Sequence, residues 1–248
     1  MKLARMPDGS PEIFHTLQGE GRNCGLPTVF IRSSLCNLHC VWCDTDYTWN
    51  WEGTEYTHEK QGLPGYEKYR KSDVIVTLSE AEIARYLEKY PCQNYVFTGG
   101  EPLLQEKSWV KLMEILGRNC HFEIETNGTL TPGEEFLDWI DQLNVSPKLR
   151  NSGVDANLRS KPDVLRALQA TGKADFKFVV SDEEDLREVV ELVDRAGISS
   201  ERVFLMPKAN TVAELESNQG RVAEWARERG YRYSDRLHLR LFGAKRGV

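Results

Sequence analysis

Thr28-Val29-Phe30-Ile31-Arg32-Ser33-Ser34-Leu35-Cys36-Asn37-Leu38-His39-Cys40-Val41-Trp42-Cys43 is the stretch that decides how the chain is read. Its first six residues are β-branched and aromatic apart from Arg32 and Ser33, and predict a strand. The strand runs into a loop carrying three cysteines spaced C-x3-C-x2-C, with Trp42 immediately before the last. Three soft thiolates so close together suit an iron–sulfur cluster, because thiolate is the ligand such clusters select. A four-iron cluster held by three cysteines leaves one iron without a protein ligand, free to bind a small molecule. The same spacing also suits a structural zinc loop completed by His39 or His58.

Composition narrows the setting. At 248 residues the chain can bury a core without staples, and six cysteines are too sparse for a disulfide-built secreted domain. Hydrophobic residues make up 40% and charged residues 28%, a globular balance. A formal net charge of −6 speaks against nucleic acid as a partner held by a basic field. The N-terminal MKLARMPDGSPEIFHT has no apolar signal region, and no apolar run is long enough to span a membrane. The expectation is therefore a cytoplasmic protein in a reducing compartment, where clustered cysteines bind metal. Cys24, Cys92 and Cys120 are expected to be small buried or half-buried residues without chemistry.

Outward from the cysteines, residues 46–73 are aromatic, charged and glycine-bearing with little period, and predict an irregular excursion, either a lid over a site or a partly disordered segment. Regular alternation follows. Ser79 with Glu82 forms a capping-box pattern ahead of Ile83, Tyr86, Leu87 and Tyr90 at helical spacing. Further strands are expected at 94–98, 121–126, 143–146, 174–180 and 202–206. Helices are expected over 108–117, near 133–141, from Pro162, from Ser181 with Glu184 to about 196, and from Thr211 with Glu214. Strands alternating with helices imply parallel pairing and right-handed crossovers. Six such strands predict an α/β fold of one domain over 1–248, a partial (β/α)6 barrel, with an open doubly wound sheet as the runner-up. The tail from about 231 is basic and apolar, and either folds over the mouth of a site or frays.

In parallel α/β folds, chemistry collects at the C-terminal ends of strands. The first strand delivers the cysteine loop, and the second ends in Thr98-Gly99-Gly100-Glu101-Pro102. There the glycines allow close backbone approach, and Glu101 offers an acceptor for a cationic amine. The third ends in Glu125-Thr126-Asn127-Gly128, the fourth in Ser146-Pro147-Lys148 and the sixth in Met206-Pro207-Lys208. A zinc loop predicts nothing about these neighbouring strand ends.

Cys36, Cys40 and Cys43 with Trp42, followed by Gly99-Gly100-Glu101-Pro102, resemble the cluster and GGEP motifs of the radical S-adenosylmethionine (SAM) enzymes. The resemblance runs from about residue 12 to the C-terminus. Within that superfamily the chain resembles most the 7-carboxy-7-deazaguanine synthase family. The marks are Leu17-Gln18-Gly19-Glu20-Gly21, Phe30-Ile31-Arg32, Cys43-Asp44-Thr45, Thr98, Glu125-Thr126-Asn127-Gly128 and Ser146-Pro147-Lys148. The resemblance implies a lyase that contracts the ring of 6-carboxy-5,6,7,8-tetrahydropterin to 7-carboxy-7-deazaguanine with loss of ammonia, on the route to queuosine and related deazapurines. It implies a 4Fe-4S cluster on Cys36, Cys40 and Cys43, SAM on the open iron as a regenerated source of the 5'-deoxyadenosyl radical, and Mg2+ at Thr45. SAM contacts carry over to Trp42, Cys43, Asp44, Gly100, Glu101, Glu125, Ser146, Pro147 and Lys148, and by location to Met206 and Pro207. Substrate contacts carry over to Leu17, Gln18, Gly19, Arg32 and Thr98, with no catalytic side chain beyond the cluster and the SAM-derived radical. A homodimer and an electron donor such as flavodoxin are implied as well.

Residue chemistry fits those roles. Arg32 presents a planar donor fork suited to a carboxylate, although pairing with a structural acid is its plainer use. Gln18 offers donors and acceptors to a pterin edge. A hard, mostly hydrated Mg2+ suits a site with few protein oxygens. Two rival classes remain open at this point: an activating enzyme that takes hydrogen from a glycine of a partner protein, and a zinc-stabilised binding module.

Overall fold

The six strands read from the sequence lie side by side in one sheet of the computed structural model, which describes all 248 residues. In chain order the strands are β1 (Lys2–Ala4), β2 (Ile13–Leu17), β3 (Pro27–Ser33), β4 (Ile75–Thr77), β5 (Asn94–Gly99), β6 (His121–Thr126), β7 (Gln142–Val145), β8 (Ala174–Val180), β9 (Val203–Pro207) and β10 (Arg232–Tyr233). The helices are α1 (Lys71–Val74), α2 (Glu80–Leu87), α3 (Glu106–Leu116), α4 (Glu134–Trp139), α5 (Ala156–Arg159), α6 (Pro162–Ala170), α7 (Glu183–Ala196), α8 (Val212–Arg229) and α9 (Leu237–Phe242). Strands β3, β5, β6, β7, β8 and β9 pair in that order, all parallel, and β10 extends the last of them. The two ends of the sheet do not meet, so the barrel is incomplete, as expected. No helix is long and apolar enough to cross a membrane.

Four strands escape the sequence reading, the two-residue β10 among them. β1, β2 and β4 are antiparallel additions around β3, with β2 zipped along it from Ile13↔Ile31 to Leu17↔Pro27. β1 and β4 span only three residues each, too few to show a period. The caps at Ser79 and Thr211 and the proline start of α6 form as read. The α7 cap moves by one residue: Asp182, not Ser181, accepts from the Asp185 amide. Ser181 is taken instead by the Asp185 carboxylate, through both its amide and its hydroxyl.

Alternation along the strands sorts the side chains into two faces. Val29 and Ile31, Tyr95 and Phe97, Phe122 and Ile124, Leu143 and Val145, Phe176 and Phe178, and Val203 and Leu205 are buried in one apolar cluster with residues of the flanking helices. The opposite row is polar: Arg32 beside Thr98, Glu123 beside Gln142, Glu125 beside Asn144, Asn144 beside Asp175. The interior of the barrel is thus lined largely by charges and amides, with Phe30, Val96 and Phe204 among them.

Trp109 ties α3 to the strand that carries the glycine motif. It is fully buried, stacks on Phe97 with centroids 4.3 Å apart, and donates from Nε1 to the Pro102 carbonyl at 3.0 Å. Trp109→Ala is expected to lower the unfolding free energy by about 3–5 kcal/mol, as for other buried Trp truncations. Trp109→Phe should recover most of that and lack about 1 kcal/mol for the hydrogen bond, both read from urea midpoints.

Candidate active site

The cysteine loop leaves β3 and folds back under residues 46–70. Cys36, Cys40 and Cys43 are free thiols close enough to influence one another's ionisation. Burial pushes the Cys40 thiol up to about 12 and raises Cys36 and Cys43 as well. Buried thiols of this kind stay protonated until a metal claims the sulfur. The zinc reading fails on geometry. His58 accepts from the Lys60 amide at Nδ1 and therefore donates from Nε2 to the Cys43 carbonyl at 2.8 Å, so both ring nitrogens are engaged. His39 lies stacked on Tyr56 with centroids 3.4 Å apart. Three soft sulfurs without a fourth protein ligand fit a four-iron cluster with one open iron.

The excursion is ordered onto this loop. Tyr66 donates to Asp46 at 2.5 Å, Asn50 donates to the Tyr66 hydroxyl at 2.7 Å, and the Glu59 amide donates to the Val41 carbonyl at 2.7 Å. Trp42 donates from Nε1 to the Asn151 carbonyl at 2.8 Å, with the Lys148 and Lys208 ammonium groups 5.7 and 5.9 Å from its ring centroid. The indole therefore sits near the C-terminal ends of β7 and β9, where the Ser146 hydroxyl accepts from Lys148 at 3.0 Å. Met206 is buried, and Pro207 pairs with Val180 at the same end of β9.

The glycine motif packs against the end of β3. A Cβ on Gly99 would lie 2.0 Å from the Ser33 carbonyl, and one on Gly100 would lie 2.0 Å from that of Leu35. What approaches these glycines is the chain's own β3 end. Glu101 is fully buried: Oε1 accepts from the Thr126 hydroxyl at 2.9 Å and the Leu103 amide at 3.0 Å, and Oε2 from the Asn127 amide at 2.8 Å. Burial raises its pKa against these donors. A carboxylate has about four acceptor positions, so about one remains for an amine.

On the inner face, Arg32 donates from Nε to Glu12 at 2.9 Å. The plainer expectation for Arg32 is thus met in part. Glu12 is buried and also accepts from the Tyr47 hydroxyl at 2.9 Å and from Arg246 at 2.6 Å, whereas the two terminal nitrogens of Arg32 have no protein partner. Burial opposes its charge, but Tyr47, Glu12, Asp44 and Glu125 around it keep the guanidinium protonated. Thr98 donates to Glu125 at 2.6 Å, which places Glu125 in the Arg32 and Thr98 group on the inner face. The Thr45 hydroxyl lies 3.5 Å from the Cys43 sulfur.

Residues 18–24 form a plug inside the barrel. Asn23 donates to Glu123 at 2.6 Å, Arg22 to Asp175 at 2.5 Å, and Gly21 from its amide to the Ser234 hydroxyl at 3.0 Å. Glu20 is paired with Lys177 of β8 and with Arg236 of the tail. Gln18 is buried and accepts from the Glu20 amide at its Oε1, 3.2 Å away, while Leu17 ends β2 and Gly19 rests against His238. Asp44 turns to Arg236 at 2.8 Å. Glu12, Lys177 and Arg236 were not singled out from the sequence, and Glu20 stood there only as part of the mark at residues 17–21. Lys177 had a signal there, a charge alternating with Asp175 inside the otherwise apolar run Ala174–Val180.

A partial barrel with three cysteines on the loop after its first parallel strand is the radical SAM arrangement. Residues 30–216 match the radical SAM superfamily, and the chain belongs to it. The 7-carboxy-7-deazaguanine synthase of Halobacterium salinarum is 35% identical over 252 aligned residues, covering 93% of this chain and 89% of the relative. That of Pyrobaculum aerophilum is 36% identical and covers 95% of each chain. The chain therefore belongs to the 7-carboxy-7-deazaguanine synthase family. The crystal structure of QueE from Escherichia coli is similar in fold, with a TM-score of 0.64 at 23% identity over 96% of this chain and 95% of that one.

The buried Glu20 cluster yields a pH signature. Burial would raise the Glu20 pKa, but Lys177, Arg236 and His238 outweigh it and hold the carboxyl well below its usual 4.5. A depressed carboxyl stabilises the fold above its unfolded-state pKa and loses that contribution as pH falls toward the folded-state value. Glu20→Gln should cost about 3–5 kcal/mol at neutral pH by leaving buried cations uncompensated. In paired urea titrations the gap to the parent protein should stay level down to about pH 4.5 and narrow below it.

Proposed function

We propose that the chain converts 6-carboxy-5,6,7,8-tetrahydropterin to 7-carboxy-7-deazaguanine with loss of ammonia, on the route to queuosine and related 7-deazapurines. The observation that carries this reading is Arg32. Its Nε is anchored on Glu12, and its two terminal nitrogens are unpaired on the inner face of the barrel, oriented as a fork for a carboxylate. When bound, the 4Fe-4S cluster and SAM supply the 5'-deoxyadenosyl radical that starts the rearrangement.

The chain's own residues bind, orient and exclude water. Gln18, with the backbone of Leu17 and Gly19, meets the amide edge of the pterin. Thr98 spends its proton on Glu125 and keeps its oxygen lone pairs for the substrate. Trp42 packs beside the adenine of SAM, and Cys43, Asp44, Ser146, Pro147, Lys148, Met206 and Pro207 line the cofactor. Gly100 and the remaining acceptor of Glu101 take its amino group. The Thr45 hydroxyl, whose sole polar contact is the Cys43 sulfur, would be free to hold a mostly hydrated Mg2+, which would supply positive charge for the substrate carboxylate. A flavodoxin as electron donor, a homodimer and a cytoplasmic setting complete the proposal.

Anaerobic reconstitution tests it directly. About four iron per chain with no zinc, and formation of 7-carboxy-7-deazaguanine from the carboxypterin with SAM and dithionite, are expected. A cluster-replete sample that leaves the pterin unchanged would refute the activity. Arg32→Ala should raise KM for the pterin about 10- to 100-fold, the worth of a charged hydrogen-bonded contact, and leave SAM binding unchanged. Arg246 keeps Glu12 paired in that variant, so the fold should persist.

A further inference from the structure

Arg236 caps the start of α9 on the tail and is nearly buried, at 9% exposure. Each edge of its guanidinium is occupied. Nε donates to Glu20 at 3.0 Å, Nη2 donates to Asp44 at 2.8 Å, and Nη1 donates to the Ala209 carbonyl. These partners come from the plug, from the cluster loop one residue after Cys43, and from the loop that follows β9. The next residues of the tail tighten the same grip. The Leu237 amide donates to the Gly19 carbonyl at 2.9 Å, and His238 lies so close that a Cβ on Gly19 would come within 2.3 Å of its Nδ1.

Glu20 and Asp44 present two carboxylates to this one guanidinium, and like charges repel. One guanidinium between them converts that repulsion into a bridge. We propose that Arg236 is the positioning residue that sets the width of the site's mouth, holding the substrate-edge segment 17–20 and the Cys43–Thr45 segment at one separation. The role rests on the reading above, in which one segment meets the pterin and the other its Mg2+. A lysine cannot replace Arg236, because a point charge on a flexible stem does not reach three acceptors in fixed directions. Arg236 touches neither the pterin nor SAM in this scheme and acts through Glu20 and Asp44.

The test uses reconstituted enzyme carrying Arg236→Lys, Arg236→Gln, or Arg236→Gln together with Asp44→Asn. Hydrogen exchange over residues 17–22 and 43–48 should accelerate together, by about tenfold or more, in both single variants. KM for the pterin should rise about tenfold or more while kcat stays within about threefold, the pattern of lost ground-state positioning. Adding Asp44→Asn removes the unbalanced carboxylate, so the double variant should recover part of the KM loss. Faster exchange confined to residues 234–242, a Lys variant with parental KM, or a double variant no better than the single would each overturn the proposal. Should Arg236→Gln not fold, Arg236→Lys decides alone. Parent enzyme that fails to turn over the pterin would count against the function, while the exchange result still decides the role of Arg236.

Discussion

The carboxylate of Glu20, buried between Lys177 of the sheet and Arg236 of the tail, is the contact on which the rest of the site depends. Desolvating such ions costs several kcal/mol each, and their attraction repays this only when every partner is present. The cluster therefore contributes little net stability when compared with a well-packed apolar alternative. Its effect is to make three remote segments interdependent. The plug cannot enter the barrel without the strand lysine, and the tail cannot pull away without leaving the buried Glu20 to Lys177 alone. Specific geometry at the mouth is what this arrangement gains from charges that an apolar plug would not have supplied.

Why an apolar plug would fail follows from the strands themselves. Their outward row is committed to the helices by Val, Ile, Leu and Phe, so alternation leaves Glu123, Glu125, Asn144, Asp175 and Lys177 to face inward. Buried polar groups need partners, and residues 18–24 supply them with Glu20, Arg22 and Asn23. A sheet with this inner row is only half specified by its own sequence.

That division explains what could be read from the sequence. The six parallel strands, the caps at Ser79 and Thr211 and the proline start of α6 are local, each written in a period or a pattern a few residues long. The cysteine loop is equally local, and its missing fourth ligand could be seen at once. Glu20 finds Lys177 and Arg236 at separations of 157 and 216 residues, and no local pattern records such a pairing. β1 and β4 are set by pairing alone, with too few residues for a propensity to count. Asp44 and Glu125 were associated with the cofactor from their place in motifs, which carry no record of their partners Arg236 and Thr98. The inward charges were the overlooked signal, because alternation of Glu with Phe and Ile in His121–Thr126 marks a polar inner face as plainly as an amphipathic surface strand.

The glycine motif shows the same coupling of packing and chemistry from the other side of the cluster. Gly99 and Gly100 have no room for a Cβ because the Ser33 and Leu35 carbonyls occupy it, and the Gly100 and Glu101 amides donate to those two oxygens. Glu101 then reaches across to Thr126 and Asn127 at the end of β6. Three successive parallel strands are thus held at one spacing directly beneath Cys36. Substituting either glycine would displace the backbone that begins the cysteine loop, so its effect on any ligand would be inseparable from its effect on the loop. A cluster held by Cys36, Cys40 and Cys43 would sit on a fixed base, because the residues around Cys36 are the same ones that close the sheet beneath it.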